Sequence, residues 1–411
     1  MMLRQHIKAL LATGTFFIFV LLLSSESVYK STGVDFATSS SNLRKRKSPY
    51  AQKHNFAGAI HPGYFTTPVA STSSSSSHGT LLSFPFAAVT DLDQLSKVTE
   101  SHKPLWKSIL LSATLNFDTK ANTYTVTNID DHRQLTSAHN EAGRGAEYSE
   151  LVVFDHRLLT FDDRTGTIFE ILNKNHGNDS YVIPRLVITE GNGNTDKGMK
   201  WEWATVKDNE LYVGSMGKEY TLSDGTIANT NNLWIAIVDS TGRIKRQDWK
   251  HQYEYVKRAL LGEDAAKIGY VWHEAIAWSN HWKRWIFLPR RISTDAYDEV
   301  ADEKKGGHSI LLVDEKFTVS TKVDIKFKHI DPLRGFSSFA FVPGTRDRHI
   351  LAIRSIEEDC VGGDEKTCKQ RSFLSVIDVH NGDVLMDELR LPLDMKFEGI
   401  TFVDINTPEP S

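Results

Sequence analysis

Four segments of this chain repeat one layout, a polar residue, a strand-like run, a polar turn and a second strand-like run, and a fifth begins it. Ser149 heads SELVVFDHRLLTFDDRTG, Glu202 heads EWATVKDNELYVGS, Glu274 heads EAIAWSNHWKRWIFLPRR and Ser337 heads SSFAFVPGTRDRHILAIRS. Glu398 heads EGITFVD, a fifth unit in which only one strand is legible. Hairpins recurring at such intervals read as propeller blades. The expected fold is all-β, a five-bladed β-propeller. The strands missing from the last unit would come from WKSILLSATLNFD and TYTVTNID, within 106–130, closing the ring by pairing the C-terminal strand with N-terminal ones.

In a propeller the innermost strands line a central channel, and equivalent positions meet around its axis. Ser149, Glu202, Glu274, Ser337 and Glu398 should therefore face one another. Three carboxylates cannot share a narrow channel uncompensated. A cation is the economical solution, and an all-oxygen donor set suits a hard one, calcium rather than zinc. Magnesium suits it less, because it wants a small octahedral shell. His273-Glu274 does not open a zincin motif, since position 277 is Ala. GNGNTDKG (191–198) lacks the phosphate-loop pattern and reads as a turn.

The second strands of these hairpins return to the same end, and they finish in charge. They read Asp162-Asp163-Arg164, Gly217-Lys218-Glu219, Pro289-Arg290-Arg291 and Ser355-Ile356-Glu357-Glu358. Arginine forks fit phosphate oxygens in bidentate fashion. A carboxylate can orient or deprotonate an attacking water. A polyphosphate site and a rim of salt bridges are both consistent with this pattern.

The remaining sequence bounds the setting. Arg4 and Lys8 precede an apolar run over 9–23, which reads, within 1–27, as a signal peptide or a signal anchor. Either routes the chain into the secretory pathway, as a type II membrane protein of the ER or Golgi lumen or as a secreted product. Residues 28–100 read as a disordered stem, with a Ser-rich tract (71–80) and a solvated basic run (43–47), leaving 101–411 as the propeller. With 48 basic and 52 acidic residues, the bulk charge gives no sign of nucleic-acid binding. Cys360 and Cys368 are expected to form a local disulfide, and Asn178 opens a glycosylation sequon in a polar loop.

At these residues the sequence resembles the calcium-activated nucleotidase family, which includes the salivary apyrases of blood-feeding arthropods. The matching stretches include GRGAEYSEL (143–151), KGMKWEWATVKDNELYVGSMGKEYT (197–221), GYVWHEAIAWS (269–279), GFSSFAFVPGT (335–345) and KFEGITFV (396–403). The resemblance implies a propeller with one central calcium, held by Ser149, Glu202, Glu274, Ser337 and Glu398. It also implies hydrolysis of nucleoside di- and triphosphates, with UDP and GDP favoured in the vertebrate type. In that reading Arg164, Arg290 and Arg291 stabilise charge on the phosphoryl oxygens, and Asp163 positions the water with Glu219 in reserve. The rival reading is a non-catalytic binding module in which calcium is structural. Tyr220 replaces a usual Trp, Glu150 a common Asp, and Thr401 a frequent second Glu.

Overall fold

The computed structural model describes residues 71–72, 80–174, 179–222, 226–360 and 368–406. The N-terminal apolar run, the basic run at 43–47 and Asn178 of the sequon lie outside them. Among the described residues no helix is long and apolar enough to cross a membrane.

Five antiparallel sheets stand around one axis, and in four of them the chain runs outward strand by strand. The first blade comprises Tyr148–Phe154, Arg157–Asp162, Thr167–Lys174 and Asp179–Val187. The second comprises Trp203–Lys207, Glu210–Gly214, Trp234–Val238 and Ile244–Asp248. The third runs through Tyr270–Ser279, Arg284–Ser293, Ser309–Asp314 and Ser320–Asp324. The fourth runs through Gly335–Phe341, His349–Glu358, Lys369–Asp378 and Val384–Arg390. The five innermost strands pack side by side and close the ring.

The hairpins follow from local chemistry. Asp155 and His156 link Phe154 to Arg157, and Asp208 and Asn209 link Lys207 to Glu210. All four have positive φ, at 48° and 62° in the first turn and 51° and 62° in the second. Two successive left-handed residues make the tight turn whose twist matches a hairpin, and Asp, Asn and His tolerate that conformation better than most.

Apolar side chains fill the wedges between blades. Between the second and third, Trp249 and Trp285 meet edge to face at 4.9 Å, with Trp203 and Trp278 beside them. The helix Lys250–Leu261 turns Tyr253, Val256 and Leu260 into this cluster, a spacing that keeps them on one face. Gly214 is glycine because a Cβ would sit 2.3 Å from the Trp203 indole.

The fifth blade corrects the expected boundary at residue 100. Its inner strand is Phe397–Thr401, as expected, but that strand pairs with Leu81–Thr90, which lies in the expected stem. Leu81–Thr90 pairs in turn with Trp106–Asp118, and that with Thr123–Ser137. Strand pairing also reaches Ser71–Thr72 in the Ser-rich tract, opposite Leu82 and Ser83. The physical reason is visible in LLSFPFAAVT, which buries Phe84, Phe86, Ala87, Ala88 and Val89 in the core. A disordered segment does not carry that much apolar surface. Ring closure thus needs a strand N-terminal to 106–130.

Candidate active site

Four of the five polar heads sit in breaks of strand register. Ser149 falls in the shift between Tyr148 and Leu151, Glu274 in that between His273 and Ala275, and Ser337 in that between Phe336 and Ser338. Glu398 is skipped where Phe397 pairs with Thr90 and Gly399 with Val89. A bulge frees a residue from the ladder and re-aims its side chain. Glu202 lies one residue ahead of its strand, its N–H donating to the Gly214 carbonyl at 2.9 Å. All five residues are buried, none more than 5% exposed.

The three glutamates meet at the axis. Burial pushes the Glu398 carboxyl well above its usual range, and the nearby Glu274, Asp91 and Glu202 add to the effect against Lys396. Burial likewise lifts Glu202 to about 8, with Glu274 and Asp163 assisting and Lys200 opposing. Glu274 is raised by burial against the pull of Arg290 and Lys396.

Three cations hold these carboxylates together, Arg290 and Lys396 buried and Lys200 half-buried. Lys200 bridges Glu202 at 2.5 Å and Asp163 at 2.6 Å. Arg290 bridges Glu274 at 3.0 Å and Glu357 at 2.6 Å, and also donates to the Ser337 hydroxyl. Lys396 reaches Asp91 at 2.8 Å, Asp93 at 3.0 Å, Glu357 at 3.1 Å and Glu398 at 3.4 Å. Burial would raise the Glu357 carboxyl, but Lys396, Arg290 and Arg291 outweigh it and hold it well below the usual range.

A second acidic group adjoins the first. Ligand atoms of Asp91, Glu147 and Asp163 lie within 4.8 Å of one another. Arg144 grips Glu147 through Nε at 2.8 Å and Nη2 at 2.5 Å, yet burial, Asp91 and Asp163 still push Glu147 up to about 9. Lys200 and Lys396 connect this group to the axial glutamates.

Sequence reasoning missed Asp91, Asp93, Arg144, Glu147, Lys200 and Lys396 as members of the site. One signal was available. Lys200-Trp201-Glu202 and Lys396-Phe397-Glu398 place a lysine two residues before an axial glutamate, on the same face of an extended chain. Asp91 and Asp93 offered none, because they follow a strand that lies in the expected stem.

The expected mouth residues divide. Arg290 and Asp163 join the axial cluster. Arg164 is half-buried beside Asp163, with a buried Nε that lacks a hydrogen-bond partner. Arg291 stands behind Arg290, donating to the Leu333 carbonyl at 3.1 Å with its Nε 3.6 Å from Asp302. Glu219 is half-buried and lines a small side cavity of about 40 Å³ with Lys218, Tyr253, Tyr270 and His273. Its carboxylate makes no ion pair among the described residues. Cys360 and Cys368 are disulfide-bonded.

Residues 92–403 match the family described as Apyrase. The chain belongs to the apyrase family. It is 35% identical over 321 residues to the apyrase of Cimex lectularius, covering 78% of this chain and 82% of that one. It is 37% identical over 321 residues to apyrase apy-1 of Caenorhabditis elegans, covering 76% and 82%. It is 34% identical over 323 residues to soluble calcium-activated nucleotidase 1 of Mus musculus, covering 78% and 74%. The apyrase match begins at Leu92, just after the closing strand, and takes in all five axial heads.

Proposed function

We propose that this apyrase-family chain is a calcium-dependent hydrolase of nucleoside di- and triphosphates, working at the axial cluster and releasing inorganic phosphate. The observation that carries the reading is the convergence of Glu202, Glu274 and Glu398 from three blades on one buried axis. The names of the relatives, apyrase and calcium-activated nucleotidase, point the same way.

The donor set fits a calcium ion. Each axial glutamate gives one oxygen to a cation: Glu202 Oε1 to Lys200, Glu274 Oε2 to Arg290 and Glu398 Oε1 to Lys396. The Ser149 hydroxyl is buried without a hydrogen-bond partner. Five oxygen donors from five blades form a wide cage of the kind calcium accepts. Ser149, Glu202, Glu274, Ser337 and Glu398 would hold the ion, which when bound supplies charge to hold and polarise a polyphosphate.

The chain's own residues do the rest. Arg290, buried and fixed by Glu274, Glu357 and Ser337, presents positive charge that need not reorganise as charge develops on the phosphoryl oxygens. Arg164 adds a second guanidinium at the same side, and Arg291 supports Arg290 from behind. Asp163 keeps one oxygen on Lys200, while its Oδ1 is buried without a partner and is the group to orient a water. Glu219 lies in the side cavity and is assigned no step. The N-terminal apolar run supports a secretory location, and the disulfide suits an oxidising compartment.

A phosphate-release assay over a nucleotide panel, with and without calcium, tests the proposal. Release from UDP and GDP that stops on chelation is expected. No release from any nucleotide would leave a calcium-stabilised binding module, and equal release without calcium would remove the metal from the reaction.

A further inference from the structure

The central channel has a second end. All five innermost strands line a funnel of about 310 Å³ on the face opposite the axial glutamates. Val152, Val206, Ala277, Ala340 and Thr401 stand in its wall, each a few residues beyond the polar head of its strand. A closed layer separates the funnel from the axial cluster. Ser338 and Glu150 join across the axis at 2.8 Å, and a Cβ at Gly399 would lie 2.4 Å from the Glu150 backbone. The funnel is therefore no part of the phosphate site.

The funnel asks for an uncharged, apolar occupant. Phe339, Phe341, Ile400 and Phe402 line it, and among its described residues there is no Lys, Arg or His. Its two carboxylates are engaged by protein donors. Glu150 on the floor accepts from Ser338 and from the Leu151 N–H. Asp347 at the rim accepts from the Ser279 hydroxyl at 2.7 Å and the His281 N–H at 3.2 Å.

The backbone delivers a segment of that kind to the funnel mouth. Leu81–Thr90 offers one edge to two strands in line: its upper part pairs with Phe397–Thr401, and Leu82 and Ser83 pair with Ser71–Thr72. Ser71–Thr72 thus continues the channel wall past Thr401, on the funnel side. Because the pairing is antiparallel, the chain before Ser71 heads back toward Thr401. It cannot follow the edge for long, since the Val403 N–H already donates to the Pro85 carbonyl at 3.1 Å. The funnel opens at that point, beside Thr401 and Phe402. Residues 63–70 read GYFTTPVA, with two aromatic rings, a valine and no charge. Pro68 has no N–H to give a ladder and suits a chain leaving a sheet edge.

We propose that residues 63–70 dock in this funnel, seating Tyr64 and Phe65 against Phe339, Phe341 and Phe402, and so fasten the N-terminal segment to the face opposite the axial cluster. Burial of the two rings offsets the entropy lost in ordering the segment. The chain before Gly63 then leaves the propeller from the far face. Whatever holds the N-terminal run therefore leaves the mouth that carries Arg290 and Lys396 unobstructed.

Disulfide trapping in the full chain tests the docking. Phe65→Cys is combined with Ala340→Cys or Val206→Cys in the funnel, or with Ser240→Cys on an exposed outer turn of the second blade. After mild oxidation, peptide mapping should find residue 65 linked to 340 and to 206 within one chain, and about tenfold less to 240, because docking raises the local concentration only at the funnel. A second variant, Tyr64→Asp with Phe65→Asp, should undock the segment. Amide hydrogen exchange over 340–342 and 401–403 should then quicken about tenfold, the scale of one lost buried ring. Equal linkage to all three positions, or none, overturns the proposal, as does exchange that the aspartates leave unchanged. Linkage found only between two chains also overturns it, and would make a second copy the occupant.

Discussion

Ser338 donates its hydroxyl hydrogen bond to Glu150 across the propeller axis, at 2.8 Å to one carboxylate oxygen and 3.0 Å to the other. Glu150 also accepts from the Leu151 N–H at 2.8 Å, and the backbone N–H groups of Ile400 and Ala204 face it as well. One buried side chain of the first blade thus gathers donors from the second, fourth and fifth. Its neighbour Ser149 is an axial head, so Glu150 locks the strand that carries a proposed ligand.

Glu150→Ala should destabilise the ring by about 3 kcal/mol, because several buried donors lose their acceptor and a cavity remains. Glu150→Gln keeps one acceptor and should cost less. Thermal melts of both variants check the order; equal melting temperatures would show that the carboxylate does not hold the blades.

The two lysines of the cluster should differ in consequence. Lys200→Met leaves Asp163 and Glu202 without their shared cation, whereas Lys396→Met strips four carboxylates at once. Removing one partner of a buried pair typically costs about 3–5 kcal/mol. Lys396→Met should therefore be the less stable in chelator, and added calcium should recover part of the loss. Denaturant titrations with and without calcium read both effects.

Stability without metal should depend on pH with a definite sign. Glu202, Glu147 and Asp162 have folded-state values near 8, 9 and 7, each raised first by burial and then by neighbouring carboxylates. The native state keeps protons that the unfolded chain has already lost above its ordinary carboxylate range, so stability falls as pH rises from about 5 to 9. Glu357 works in the opposite sense, since its depressed value supports the fold until strong acid. Calcium binding should flatten the upper part of the curve, because it favours ionised carboxylates. A melting temperature that climbs with pH in chelator would contradict this account.

Metal choice follows from the cage. Glu202→Ala should raise the calcium needed for activity or abolish turnover. Magnesium should rescue chelated protein poorly, because a shell drawn from five packed blades cannot contract to about 2.0–2.1 Å. Calcium at a hundredfold excess over its dissociation constant should add about 2.7 kcal/mol of stability. Equal rescue of melting and of phosphate release by magnesium would mean a tighter site.

Truncation separates the stem from the ring. A chain beginning at residue 71 should fold and stay active. A chain beginning at 101 lacks Leu81–Thr90, which pairs with Phe397–Thr401 on one side and Trp106–Asp118 on the other. It should be insoluble or unfolded, because the fifth blade cannot join its inner strand to the rest. Soluble, active protein from the shorter chain would show that the ring closes without this strand.

The hairpins and their polar heads were legible in the sequence because they are local facts. Strand patterning has period two, turn residues such as Asp208-Asn209 sit between paired strands, and each head stands at a fixed place in its unit. That was enough to name all five axial residues and three of the charged groups beside them, Asp163, Arg290 and Glu357. The choice of partners was decided only by tertiary structure. Lys396 could pair with any of several carboxylates, and closure of the ring brings Asp91, Asp93, Glu357 and Glu398 to it at once. The role of Leu81–Thr90 was hidden for the same reason. Its edge is completed by Phe397–Thr401 from the far end of the chain, and no local pattern records which distant strand will supply the missing hydrogen bonds.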